Sequence, residues 1–237
     1  RKNYRALVIR HLKSNRLTIL LIVAAAVLVN FSHHRWVHGE GVIEWDVKSY
    51  YAYLPAVFIY QDISLDFVDE DPGFPKNKIW YINTPKNKKG IITTMGMAFL
   101  YAPFFLIAHL VASLDPSMPA NGYSLPYQFA IGFSAVFYLL FGLIFLNKLL
   151  SKYFRWKVVA VVLLLITLAT NLFYYATWAG PMPHAYLFSL TAAFLYFTDS
   201  WYTRPRIRIA IYIGLLSGLI VLIRPTNIII LLVILFW

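Results

Sequence analysis

Residues 127–147 run for 21 positions without one charged side chain. A helix of that length covers roughly 30 Å, the thickness of a bilayer's hydrocarbon core. Similar apolar runs recur at 17–31, 158–178, 184–201 and 209–223, and another extends from 226 to 237. Lipid admits only helices and closed barrels, because each backbone polar group there needs an internal partner. These runs lack the apolar–polar alternation of barrel strands. Charged residues make up 13% of the chain, well below the ~25% of soluble domains. The expected fold is all-α, a polytopic transmembrane helical protein. The last run, IIILLVILFW, has no polar exit, so the chain is expected to be the N-terminal part of a single, longer transmembrane domain.

The net charge of +11 does not imply nucleic acid, because it is distributed by topology. Arg1, Lys2, Arg5, Arg10, Lys13 and Arg16 precede the first run with no acid among them. Lys148, Lys152, Arg155 and Lys157 follow the second, and Arg204, Arg206 and Arg208 follow the fourth. Basic clusters beside spans mark the cytoplasmic side. Residues 32–126 hold seven Lys and Arg against nine Asp and Glu and are expected as a large extracytoplasmic first loop. Residues 91–112 are apolar enough to cross, but a crossing there would put both later basic clusters outside. They are therefore expected as a juxtamembrane helix that dips in and returns, paired with a Tyr-rich helix over 47–60. With no cysteine, disulfides and thiolate metal sites are excluded.

The segment IEWDVKSYYAYLPA, residues 43–56, sets Asp46 beside a tyrosine cluster at the expected membrane surface. Acids there are costly unless used. Asp46 can serve as a general base toward an acceptor nucleophile, or cap the helix that follows. Glu44 can share a metal with it or stay solvated. His33, His34, His38 and Glu40 in HHRWVHGE offer a second metal option, so a divalent cation is one cofactor the sequence allows. Interfacial histidines at the end of a span are the simpler reading.

His184 follows two prolines in AGPMPHAY and starts the fourth run. It reads as a hydrogen-bond donor or ligand, or as a cap. Arg224 in LIRPTN falls on the outer side of this topology, where arginine is disfavoured, and its planar fork suits phosphate. A snorkelling helix end is the alternative. Lys86, Lys88 and Lys89 suit a headgroup or donor phosphate, or form a solvated run. Gly214 and Gly218 form a GxxxG pattern that predicts close helix packing. Phe173, Tyr174, Tyr175 and Trp178 read as an interfacial belt.

The order of these motifs resembles the GT-C superfamily of polytopic glycosyltransferases, in particular the protein mannosyltransferase and aminoarabinose transferase branch and its bacterial relatives. WDVKSYYAYLPA is similar to the family's first-loop acidic motif, and TTMGMAFLYAPFFLIAH to its juxtamembrane segment. PMPHAYLF is similar to the second-loop motif, and GLLSGLIVLIRPTN to the later helix ending in a basic residue and proline. Two departures stand out. His184 occupies a place where the family usually has an acid, and Ile91–Thr94 stand where Lys and paired prolines are usual.

The resemblance implies transfer of a sugar from a polyprenyl-phosphate donor to a glycan, lipid or protein acceptor on the outer face of a bacterial inner membrane. Asp46 would be the base. Arg224, with His184 or Lys89, would hold the phosphate, and Tyr50, Tyr51 and Tyr53 would line a sugar or lipid groove. Two other classes remain open: a non-catalytic membrane subunit of a larger envelope assembly, and a lipid-linked sugar transporter. Mid-span positions are almost all apolar, which argues against the transporter.

Overall fold

The computed structural model describes residues 15–38, 41–72, 74 and 76–237. It is mostly helical, with one short hairpin. The helices are α1 (Arg16–His33), α2 (Asp46–Phe58), α3 (Phe67–Glu70), α4 (Gly96–Leu114), α5 (Leu125–Leu150), α6 (Trp156–Leu168), α7 (Leu172–Ala176), α8 (Pro183–Thr203), α9 (Ile207–Ile223) and α10 (Val233–Phe236). Short 3-10 turns cover Lys76–Lys78 and Pro225–Leu232. Three helices are long and apolar enough to cross a membrane: α1, α4 and α5. Two of these carry the runs expected at 17–31 and 127–147. The third, α4, contains most of the segment expected as juxtamembrane.

Two compact units divide the chain, one of residues up to His33 with Ala135–Trp237, the other His34–Ser134. In the first, α1 buries Ile19, Ile22, Ala26 and Asn30, a single helical stripe. Leu17, Leu20, Leu21 and Leu28 on its other faces stay exposed. An apolar helix with only one packed stripe suits a lipid environment. Asn30 donates to its own Ala26 carbonyl at 2.9 Å and to the Ala176 carbonyl at 3.4 Å.

The expected run 158–178 is broken into α6 and α7. Thr170 sits at the break: its hydroxyl donates back to the Ile166 carbonyl at 2.6 Å and accepts the Leu172 N–H at the start of α7 at 3.1 Å. Such side chains compete with the helix for its backbone groups. The run from 226 to 237 forms a 3-10 segment and a single α turn instead of a continuous α-helix.

Helices α5 and α8 meet at Gly142, where an added Cβ would lie 2.6 Å from the Phe188 ring and 2.9 Å from Ser189 Cα. Small residues allow helix backbones to approach this closely. The GxxxG expectation is corrected here. Gly214 and Gly218 have nothing within 4 Å of a Cβ position among the described residues. At the far ends of α5 and α8, buried Asp199 accepts from Lys152 and Tyr153.

The second unit has an aromatic core. Tyr51, Tyr101, Phe105 and Tyr127 are fully buried. Tyr60 stacks on Phe67 with centroids 4.0 Å apart, and Phe74 meets both edge-on. Helix α2 ends at Phe58, two residues short of expectation. The Tyr60 and Asp62 N–H groups donate to Pro55 and Ala56 at 2.9 and 2.8 Å, with Gln61 at φ 52°. That left-handed closure satisfies the last carbonyls.

Helix α4 begins at Gly96, not at 91. Residues Lys89–Ile91 instead form β2, antiparallel to β1 (Tyr81–Asn83), with Ile82 opposite Gly90. The loop between the strands is a turn from Thr84 to Asn87, with the Asn87 N–H on the Thr84 carbonyl at 2.9 Å and Asn87 at φ 55°. Pro85 presets the turn and Asn87 tolerates the left-handed position. This hairpin is the exception to the all-α expectation.

Candidate functional site

The backbone entering α2 is held by Gln128. Its side-chain oxygen accepts the Val42 and Ile43 N–H groups at 2.8 and 3.2 Å, and its amide donates to the Tyr123 carbonyl at 3.2 Å. Gly41 makes this possible: at φ 90°, a Cβ there would fall 2.4 Å from the Gln128 oxygen. Glu44 follows, anchored by Arg35 at 3.0 Å.

The next step is a tight turn. The Val47 N–H donates to the Glu44 carbonyl at 3.0 Å, and Trp45 between them adopts φ 50°, ψ −137°. Glycine normally fills that position of such a turn. A tryptophan there costs about 1–3 kcal/mol, held by its surroundings, and such strain gathers at functional sites. The indole is left 71% exposed.

Asp46 is the first residue of α2, not its cap, which is Trp45. This corrects the capping expectation, because the carboxylate makes no hydrogen bond or ion pair among the described residues. It is exposed to solvent. Its negative charge in the first turn is favoured by the helix dipole. The side chain is thus free to take a proton. A cleft of about 390 Å³ beside it is lined by Glu44, Trp45, Lys48 and Trp80, and Asp46 is not part of that lining.

The tyrosines of α2 do not form the expected groove. Tyr51 is in the core, its hydroxyl donating to the Gly122 carbonyl at 2.5 Å. Burial raises its pKa well above the ordinary value, so it stays neutral. Tyr50 is also buried. Tyr53 is half-buried and donates to the Thr93 carbonyl at 2.6 Å. All three serve packing, since most of α2 is buried and leaves these side chains inside or at the edge of the core.

Lys89 is likewise occupied. Its ammonium donates to Asp69 at 2.7 Å and to the Leu65 carbonyl at 3.1 Å, with Asp66 at 4.0 Å. It pins the hairpin to the acidic stretch and is not a loose cation. Asp62 in that stretch accepts the Ser64, Asp66 and Phe67 N–H groups at 2.8, 2.6 and 3.2 Å, a local cap.

In the other unit, His184 and Arg224 do come together. Both line a cavity of about 430 Å³ whose other walls are mainly apolar, among them Leu187, Phe188, Leu195 and Ile220. Pro183 starts α8 after extended Met182 and sets His184 in its first turn. The imidazole stacks on Tyr175 with centroids 3.7 Å apart. Arg224 ends α9 with an extended backbone, and Asn227 of the following 3-10 turn joins the lining. The guanidinium has no hydrogen-bond or ion-pair partner among the described residues, and its charge reaches His184. Sequence reasoning named both residues but missed Asn227, three positions after Arg224 on one turn.

His33 and His34 of the HHRWVH segment pack against aromatic rings. His33 packs edge-on against Trp178 at 4.4 Å, and His34 lies 5.7 Å from Trp36. Among the described residues no group of three or more His, Asp or Glu is placed to hold a metal ion. Glu40 lies outside the described residues. Thus two of the expected belt aromatics pair with histidines, Tyr175 stacked on His184 and Trp178 edge-on to His33.

Chemically, one unit offers an exposed carboxylate on a strained turn, and the other a cation and an imidazole in an apolar cavity. Comparison of the chain with protein-family models, curated proteins and solved structures finds no match.

Proposed function

We propose that this chain belongs to a polytopic membrane glycosyltransferase that uses a polyprenyl-phosphate-linked sugar. One observation carries the proposal: Arg224 and His184 share a cavity whose remaining walls are mainly apolar. A ligand suited to it has an anionic head and an apolar body. A lipid phosphate has both, and arginine is the residue best matched to a phosphate's oxygens.

In this reaction an acceptor hydroxyl attacks the anomeric carbon while Asp46 takes its proton. The bond from that carbon to the phosphate oxygen breaks, and polyprenyl phosphate leaves with the electron pair. Arg224 stabilises the charge that builds on the leaving group. Asp46 suits the base role because it is exposed and has no competing partner among the described residues. Residues 32–126 face the extracytoplasmic side on this reading, as the charge distribution favours. Helix α4 then returns to that side.

The test uses the whole protein in nanodiscs with radiolabelled polyprenyl-phosphate sugars and an acceptor mixture. Release of polyprenyl phosphate supports transfer. Passage of intact donor across the bilayer supports a transporter instead. Neither event, with co-purifying envelope proteins, supports the scaffold reading.

A further inference from the structure

We propose that the cleft lined by Glu44, Trp45, Lys48 and Trp80 is a saccharide subsite that takes a hexopyranose ring against its indoles. Its volume of about 390 Å³ falls in the range of roughly 300–1,000 Å³ common to small-molecule sites.

The two tryptophans are presented by different devices. Trp45 stands on the strained turn at φ 50°, and Trp80 precedes β1, its carbonyl accepting the Ser49 hydroxyl at 3.4 Å. Its neighbour Ile79 is buried, anchoring the segment. Both indoles are exposed, 71% and 38%. Strain that turns a large aromatic side chain outward is costly and needs a use.

The polar residues select the occupant. Glu44 and Lys48 are both largely buried, and they bring an acceptor and a donor to the same cleft. An acyl chain would offer neither group a hydrogen-bond partner. A phosphate would meet the Lys48 ammonium but also the like charge of Glu44, whereas Arg35 is already taken up by that carboxylate. A neutral pyranose offers a C–H face to each indole and hydroxyls that both donate and accept.

The site lies next to Asp46 in the chain. If the transfer reading holds, the occupant is the sugar of a saccharide acceptor. Binding itself does not require Asp46 to act as a base.

The experiment is saturation-transfer difference NMR on the whole protein in lipid nanodiscs, since a maltoside detergent would itself supply sugar. The probes are methyl glucopyranoside, methyl galactopyranoside and methyl mannopyranoside. At least one is expected to receive saturation, with Trp45→Ala or Trp80→Ala weakening its binding about tenfold. Glu44→Gln should weaken it too, with the fold checked by circular dichroism. Asp46→Asn should leave the signal intact even where it abolishes transfer. A wild-type protein silent to all three sugars overturns the subsite. So does a signal that survives in the Trp45→Ala, Trp80→Ala double variant. Quenching of both indoles by brominated lipid without any sugar signal identifies them as membrane anchors and overturns it as well.

Discussion

The side-chain oxygen of Gln128 receives the Val42 N–H at 2.8 Å, a bond between α5 and a loop 86 residues earlier in the chain. One side chain near the start of a long apolar helix thereby sets the path of the turn that presents Trp45 and Asp46. Buried backbone donors need partners, and this loop has no regular structure to supply them.

Gln128→Ala leaves the Val42 and Ile43 donors without that acceptor. Each orphaned buried donor costs about 1–3 kcal/mol. Thermal unfolding in nanodiscs should show a lowered midpoint, and transfer activity should fall further than stability alone explains. Gln128→Glu keeps the acceptor but buries a carboxylate whose second oxygen faces the Tyr123 carbonyl, so it should lower the midpoint as well.

Asp46→Asn should cut the rate of polyprenyl phosphate release about 10²–10⁴-fold, the scale of general-base catalysis. Its unfolding midpoint should stay close to the wild-type value, losing only the small helix-dipole contribution, because the carboxylate is exposed and unpartnered among the described residues. Release at the wild-type rate would remove Asp46 from the chemistry.

The helices at 17–31 and 127–147 were legible because apolar length is a strong, one-dimensional signal. The break after Leu168 was harder to see, since it is marked by one threonine hydroxyl that competes for backbone groups. The hairpin had a signal that hydropathy does not weigh: Thr84-Pro85-Lys86-Asn87 is turn chemistry between two short strands. The pairing of His184 with Arg224 was foreseeable as chemistry but not as a place, because 40 residues separate them. Tyr51 and Lys89 misled for the reverse reason. Both look functional until the partners at Gly122 and Asp69 are seen.

Arg224→Gln should raise the apparent KM for the lipid-linked donor about 10–100-fold, as expected for losing a charge-assisted contact to phosphate. Arg224→Lys should recover only part of it, because an ammonium lacks the planar fork. Steady-state kinetics over a range of donor concentrations separates this from an effect on turnover. An unchanged KM in both variants would leave the cavity without its anion.

Asp199 is buried and shared by Lys152 and Tyr153. Breaking a buried pair by removing one partner costs about 3–5 kcal/mol. Lys152 keeps some solvent contact, so Asp199→Leu should cost toward the low end. Adding Lys152→Met should return much of the loss, since it removes the stranded cation. A double-mutant cycle on thermal unfolding measures the coupling. Additive effects would show that the pair contributes little.

Lys89 supplies a pH dependence whose sign is fixed by its partners. Its hydrogen bond to Asp69, then the charges of Asp69, Asp66 and Tyr81, raise its pKa above the ordinary 10.5, against a smaller lowering by burial. The folded chain therefore holds this proton more tightly than the unfolded one. The resulting stabilisation is fully present below 10.5 and is lost as pH climbs through the raised folded value. Unfolding midpoints of the wild type should fall in that alkaline window, alongside losses shared by the other lysines. Lys89→Met should be less stable at neutral pH and should show a shallower alkaline fall. Identical alkaline slopes in the two proteins would mean that the hairpin is held by its turn and strands, and not by this ion pair.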